Sequence, residues 1–261
     1  MIKSLFFDID GTLVSFRTHR IPQSTVDALT EAKTRGVKIF ISTGRPVPII
    51  LNLGQIEHLI DGYITTNGAY CFVGKDTVCA HMISPQDVKR ILKACDDFDR
   101  AAVVVGRKTL AVYNNQPIVK TSFGEALGLG PIAFDDLDNV LAQGVMQVTP
   151  FITEEEERRL MPTIPHCVPG RWCQDFVDIT DEKADKGKGL LSMAAYEHFR
   201  VEETMAFGDG GNDIPIIRQA GIGVAMGNGG DNVKAVADYV TTTVDDDGVR
   251  NALIHFGVIN G

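Results

Sequence analysis

Lys3-Ser4-Leu5-Phe6-Phe7-Asp8-Ile9-Asp10-Gly11-Thr12-Leu13 begins as an apolar run and stops at two carboxylates one residue apart. A short uninterrupted apolar run of this kind reads as a strand buried on both faces, and Gly11 lets the backbone turn sharply where it ends. Outward from it, Pro22 opens a helix with Val26, Leu29 and Ala32 on one side, and Gly36 closes it. Val37 to Ser42 (VKIFIS) reads as the next buried strand, stopped by Thr43-Gly44-Arg45-Pro46. A helix-like segment from about Pro48 to Leu59 follows, then a third strand from Gly62 to Thr65 before the turn Asn67-Gly68. Strand, helix, strand, helix, strand at this spacing means a parallel sheet with helices on its faces.

The same grammar returns near the C-terminus. Gly189 to Phe199 reads as a helix and Thr204 to Phe207 as a strand, and the loop Gly208 to Asp213 opens another helix. Gly223 to Met226, Asp231 to Asp238, Tyr239 to Thr241 and Asp246 to Phe256 continue the alternation. Between the halves the pattern changes to hairpins and isolated helices. Ser84-Pro85 caps a helix to about Phe98, Ala102 to Val105 and Thr109 to Tyr113 flank a Gly-Arg-Lys turn, and Thr153 with Glu156 forms a capping box. The expected fold class is α/β: a Rossmann-like parallel-sheet core at 1–82 and 184–261, interrupted by an α+β cap at 83–183, a size typical of an independent domain.

The chain has 261 residues, with 25 Lys+Arg against 34 Asp+Glu and a formal charge of −9. No basic surplus exists to replace phosphate counterions, so nucleic acid is not an expected partner. At 44% hydrophobic and 23% charged, the composition is that of ordinary globular domains. No stretch has the length of a membrane span, and Asp8 and Asp10 cut the N-terminal apolar run before it could act as a signal peptide, so the expected location is the cytoplasm. Five cysteines, Cys71, Cys79, Cys95, Cys167 and Cys173, form no Cys-x-x-Cys pair and read as reduced packing residues.

Four polar clusters fall at the C-terminal ends of expected parallel strands, where ligands bind in open α/β sheets. They are Asp8 to Leu13, Ser42 to Arg45, Lys186 to Gly189 and Gly208 to Asp213. Asp8, Asp10, Asp209 and Asp213 would bring several carboxylates into one cleft, an arrangement that calls for a cation. A hard divalent ion suits oxygen ligands, and Mg²⁺ suits a site that also takes a substrate phosphate. With the metal and the two basic side chains Arg45 and Lys188 present, that site accepts a phosphoryl group despite the overall negative charge.

In this order and with this insert, the four clusters resemble the haloacid dehalogenase superfamily of phosphatases, and the whole chain resembles its Cof-type sugar phosphatases, whose α/β cap lies between the second and third motifs. The resemblance implies Asp8 as the nucleophile forming an aspartyl phosphate and Asp10 as the general acid and base. It implies Thr43 and the Gly44 amide on the phosphoryl oxygens, and Asp8, Asp209 and the Asp10 carbonyl on Mg²⁺. Lys188 would balance the negative charge around Asp8 and the transferring group, Asn212 would bind phosphate, and Asp213 would orient metal waters or Lys188. Lys186 and Lys188 both precede a glycine; the resemblance implies Lys188 as the active-site lysine, because the family pattern has Lys-Gly leading directly into the apolar helix, as Lys188-Gly189-Leu190-Leu191 does.

Asn67-Gly68-Ala69 resembles a family turn near the substrate and equally reads as a hairpin turn. Arg171 and Trp172 are the cap residues expected to meet a sugar, since a guanidinium and an aromatic face suit one. Arg17, His19 and Arg20 either line the entrance or form a solvated loop. The function these residues imply is Mg²⁺-dependent hydrolysis of small phosphomonoesters, of which hexose and pentose phosphates are the expected substrates, by a chain for which a monomer is plausible. A phosphomutase resembling phosphomannomutases is one alternative; a non-catalytic phosphate sensor, which would have no use for Asp10, is another.

Overall fold

The computed structural model describes residues 1–125, 132–171 and 173–261. In chain order its strands are β1 (Ser4–Phe7), β2 (Lys38–Ser42), β3 (Gly62–Thr65), β4 (Tyr70–Val73), β5 (Asp76–Ala80), β6 (Ala102–Val105) and β7 (Leu110–Tyr113). They continue with β8 (Gln147–Pro150), β9 (Cys167–Gly170), β10 (Asp178–Asp181), β11 (Thr204–Gly208), β12 (Ile222–Ala225) and β13 (Tyr239–Val240). The chain divides into two compact units, one of Met1–Gly44, Asn52–Cys79 and Asp185–Gly261, the other of Arg45–Leu51 and Ala80–Ala184.

The first unit is built on a sheet of order β13-β12-β11-β1-β2-β3-β4-β5. The pairs from β13 through β3 are parallel, and β4 runs antiparallel to β3. β1 is buried along its whole length because it lies between β11 and β2 with side chains packed on both faces. On one face Phe6 stacks on Phe40 at 4.8 Å between ring centroids, and on the other Phe7 stacks on Phe207 at 4.6 Å. Leu190 and Met193 of the helix Lys186–Tyr196 pack on the Phe6 side. Register places Phe7 beside Ile41 and Phe207, so the residues that follow β1, β2 and β11 emerge at one edge of the sheet.

The helix Gln23–Thr34 starts after Pro22 and buries Thr25, Ala28, Leu29 and Ala32, a stripe at helical spacing. Gly36 follows at φ +77°, the left-handed turn its lack of a Cβ permits. The segment expected as a helix over 48–59 is instead two 3₁₀ turns, Val47–Ile49 and Glu57–Leu59. Pro46 and Pro48 remove two amide donors there, and Gly54 weakens the stretch between.

The second unit carries an antiparallel sheet of order β7-β6-β8-β10-β9. Val148 and Ile179 pack with Val88, Ile91 and Cys95 of the helix Pro85–Phe98 in one apolar core. Ser84 caps that helix by accepting from the Asp87 amide at 3.0 Å, and the box between Thr153 and Glu156 starts the helix Glu154–Leu160. Alternation turns Gln147 and Thr149 away from Val148. The Gln147 amide donates to Thr149 Oγ1 at 2.9 Å and to Asp178 Oδ1 at 2.8 Å, and the Thr149 hydroxyl donates to the same Asp178 oxygen at 2.7 Å. Among the described residues no helix is long and apolar enough to cross a membrane.

Candidate active site

Asp8 is the first residue beyond β1, and its amide donates to the Phe207 carbonyl on β11 at 3.1 Å. The chain turns at Gly11, φ +85°, where a Cβ would lie 2.2 Å from Asp209 Oδ2. No other residue type fits between this loop and Asp209 without displacing the carboxylate. The loop is held by the Gly11 amide donating to the Val14 carbonyl and by the Thr12 hydroxyl donating to Asp209 Oδ1 at 3.1 Å. Asp209 follows β11, and its amide and that of Gly210 both donate to Asp213 Oδ2, at 3.0 and 2.9 Å.

The lysine that reaches this cluster is Lys186, where the sequence reading expects Lys188. Lys186 Nζ donates to Asp8 Oδ1 and to Asp213 Oδ1, each at 2.6 Å, and the side chain is 0% exposed. Lys188 is 54% exposed, and its ammonium lies 3.1 Å from Asp185. The physical reason is where the helix begins. It starts at Lys186, not at Gly189, because Asp185 caps it by accepting from the Lys188 amide at 2.7 Å. That puts Lys186 at the first helical position and Lys188 about 200° further round, on the solvent side.

Two glycines inside that first turn cost roughly 1 kcal/mol each in helix propensity. Packing requires both: a Cβ on Gly187 would lie 2.6 Å from the Pro215 carbonyl, and one on Gly189 would lie 2.6 Å from Ile64 Cγ2.

Asp8, Asp209 and Asp213 present carboxylate oxygens that all lie within 4.8 Å of one another. Burial pushes the Asp8 carboxyl up to about 8, against the pull of Lys186 and with a further push from Asp213. Burial likewise raises Asp209 to about 6, assisted by the Asp213 charge. Burial works against the Lys186 ammonium, but the Asp213 and Asp8 carboxylates outweigh it and hold its pKa above the ordinary lysine value. An all-oxygen donor set with crowded charge fits a hard divalent cation. Asp213 has both oxygens engaged by Lys186 and two backbone amides, so its part is to hold Lys186 and the Asp209 loop.

Thr43, buried at the end of β2, donates its amide to the Ile64 carbonyl and accepts the Asn67 amide on its own carbonyl. Asn67 Oδ1 lies 3.1 Å from where a Gly44 Cβ would be and accepts from Asn212 Nδ2 at 3.1 Å. Asn67-Gly68 turns the chain from β3 to antiparallel β4 and carries a side chain to Gly44 and Asn212. Gly68 serves packing, since at φ +93° its Cβ would lie 2.2 Å from the Asp185 carbonyl at the helix cap.

Asn228, which sequence reasoning missed, donates to the Gly11 carbonyl at 2.8 Å and lies 3.4 Å from Asp209 Oδ2, while its own oxygen accepts the Val244 amide. The available signal was Gly227-Asn228-Gly229 directly after a parallel strand.

Four further expectations meet different outcomes. Arg45 belongs to the second unit and donates to the Ile49 carbonyl at 3.1 Å. Arg171 does not present an open guanidinium. It donates to Glu157 at 2.8 Å and to the carbonyls of Ile152, Cys173, Gln174 and Phe176, which ties the second unit together. Trp172 lies outside the described residues. Arg17 is an exposed partner of Asp245, as a solvated loop requires.

A family model for haloacid dehalogenase-like hydrolases matches residues 5–253. The chain belongs to that family. This haloacid dehalogenase-like hydrolase is similar to the subclass IIB sugar phosphatase BT4131, at 47% identity and TM-score 0.89, with 98% of this chain and all of that one covered. In Bacillus subtilis, YkrA, which carries a phosphatase name, is 30% identical over 98% of both chains. The 5-amino-6-(5-phospho-D-ribitylamino)uracil phosphatase YcsE of the same organism is 28% identical over 98% of this chain and 96% of its own. The enzyme is a phosphomonoester hydrolase of a family whose phosphatases use a divalent metal.

Proposed function

We propose that the enzyme is a Mg²⁺-dependent phosphatase of small sugar phosphates that works through an aspartyl phosphate on Asp8. The observation that carries this reading is the Asp8 carboxylate gripped at 2.6 Å by a fully buried lysine and fixed against β11. A nucleophile needs that orientation, and one oxygen of Asp8 is left to attack.

The carboxylates of Asp8 and Asp209 with the Asp10 carbonyl would hold Mg²⁺, and the ion would supply charge neutralisation at the phosphoryl oxygens. In the first half-reaction an Asp8 oxygen bonds to phosphorus, the ester P–O bond breaks, and the leaving oxygen takes a proton from Asp10. In the second, Asp10 as carboxylate takes a proton from water; the water oxygen bonds to phosphorus and the bond to Asp8 breaks. Lys186 balances negative charge at the transferring group, while Thr43, the Gly44 amide and Asn212 hold its oxygens. In this reading the first unit performs the chemistry, and the second supplies discrimination among leaving groups.

The substrate class rests on the 47% identity to a sugar phosphatase. The test is phosphate release from hexose phosphates, pentose phosphates, nucleotides and phosphoamino acids, with Mg²⁺ and with EDTA. Metal-dependent release favouring the sugar phosphates supports the reading; preference for another class, or transfer between sugar positions without release, overturns it.

A further inference from the structure

Phe16 is 63% exposed, more than any other described phenylalanine or tyrosine, and it stands across Gly11 from Asp209. A Cβ on Gly11 would lie 2.6 Å from Phe16 Cε2 and 2.2 Å from Asp209 Oδ2, so the ring and the carboxylate flank a space no larger than one methyl group. The rim of an aromatic ring is its positive part, which suits a carboxylate neighbour, and most of the residue's surface stays in water.

The loop that presents Phe16 is tightly held. Ser15 Oγ accepts the amides of Arg17 and Thr18 and donates to Asp245 at 2.8 Å. The His19 amide returns to the Ser15 carbonyl, and Gly11 is tied to Val14 and Asn228. An apolar ring held in water on a fixed loop beside Asp209 is placed to meet a group that arrives with substrate.

We propose that Phe16 is a specificity residue whose ring packs against the carbon skeleton of the leaving group, favouring phosphomonoesters of ring-shaped alcohols over short acyclic ones. A cyclic sugar offers a face of C–H groups that covers an aromatic ring, whereas a three-carbon alcohol does not. The inference rests on the sugar-phosphate reading above and deepens it.

The test compares kcat/KM for a hexose 6-phosphate and for glycerol phosphate in the wild type, Phe16→Ala and Phe16→Tyr. Ring packing of this kind is worth roughly a fivefold preference. Phe16→Ala should lower the hexose-to-glycerol ratio by about that factor, mainly through KM, and Phe16→Tyr should restore it. An unchanged ratio in Phe16→Ala, or a tyrosine variant no better than the alanine one, overturns the inference. A wild type that prefers neither hexose nor pentose phosphates in the wider panel overturns the substrate reading instead, whatever the Phe16 variants do.

Discussion

Each unit buries a carboxylate, and the two do so in opposite ways. In the first, Asp8 and Asp213 share one ammonium while Asp209 stands close by, so negative charge exceeds what Lys186 supplies, and burial raises the carboxyls of Asp8 and Asp209. In the second, Asp178 accepts from a hydroxyl and an amide on the neighbouring strand, both neutral donors. Neutral donors such as these two ask only for geometry. A crowded anionic cluster carries an electrostatic debt that a cation and a phosphoryl group change, and so serves chemistry.

The sharpest way to break this contrast is at the paired lysines. Lys186→Met leaves two buried carboxylates without their cation, a loss of about 3–5 kcal/mol, and turnover should fall below detection. Lys188→Met, two residues away, should change stability by less than about 0.5 kcal/mol as an exposed pair and leave turnover near wild type. Thermal melts and phosphate release decide it; equal effects of the two substitutions would return the active-site role to Lys188.

A pH series sharpens the first unit's side. Asp8 is pushed up to about 8 from an ordinary value of 3.8. Its protonated form therefore favours the folded state, a contribution fully present below pH 3.8 and lost as pH rises through about 8. Metal-free protein should lose stability from pH 5 to pH 9, Asp8→Asn should flatten that profile, and the stabilisation gained from added Mg²⁺ should grow over the same range. A Mg²⁺ increment equal at both ends would contradict the charge balance drawn for the site.

The second unit should answer more quietly. Thr149→Val removes one buried donor to Asp178 and should cost about 1–2 kcal/mol in denaturant unfolding, with Mg²⁺ affinity by titration calorimetry unchanged. A change in metal affinity would mean that the two carboxylate networks are coupled.

What was legible in the sequence follows from how local its cause is. Lys3 to Leu13 announced both the central strand and the Asp-x-Asp turn, and Ser84-Pro85 and Thr153 with Glu156 announced their helices, because each signal acts within a few residues. The choice between Lys186 and Lys188 was not local. It turned on Pro215 and Ile64, distant in sequence, which demand glycine inside a helix and so hide its true start. Proline at 46 and 48 broke a segment that read as helical by its apolar spacing alone. Arg171 looked like a sugar-binding residue because sequence does not show that four carbonyls and Glu157 already surround its guanidinium.

The central claim is that Asp8, held by Lys186, takes the phosphoryl group and Asp10 is needed to release it. The direct measurement is intact-protein and peptide mass spectrometry of Asp10→Asn after brief incubation with a hexose phosphate and Mg²⁺, quenched in acid. The account predicts one added phosphoryl group on the peptide containing Asp8, absent in Asp8→Asn with Asp10→Asn. Full wild-type turnover by Asp10→Asn, or a phosphoryl group on any other residue, would contradict it.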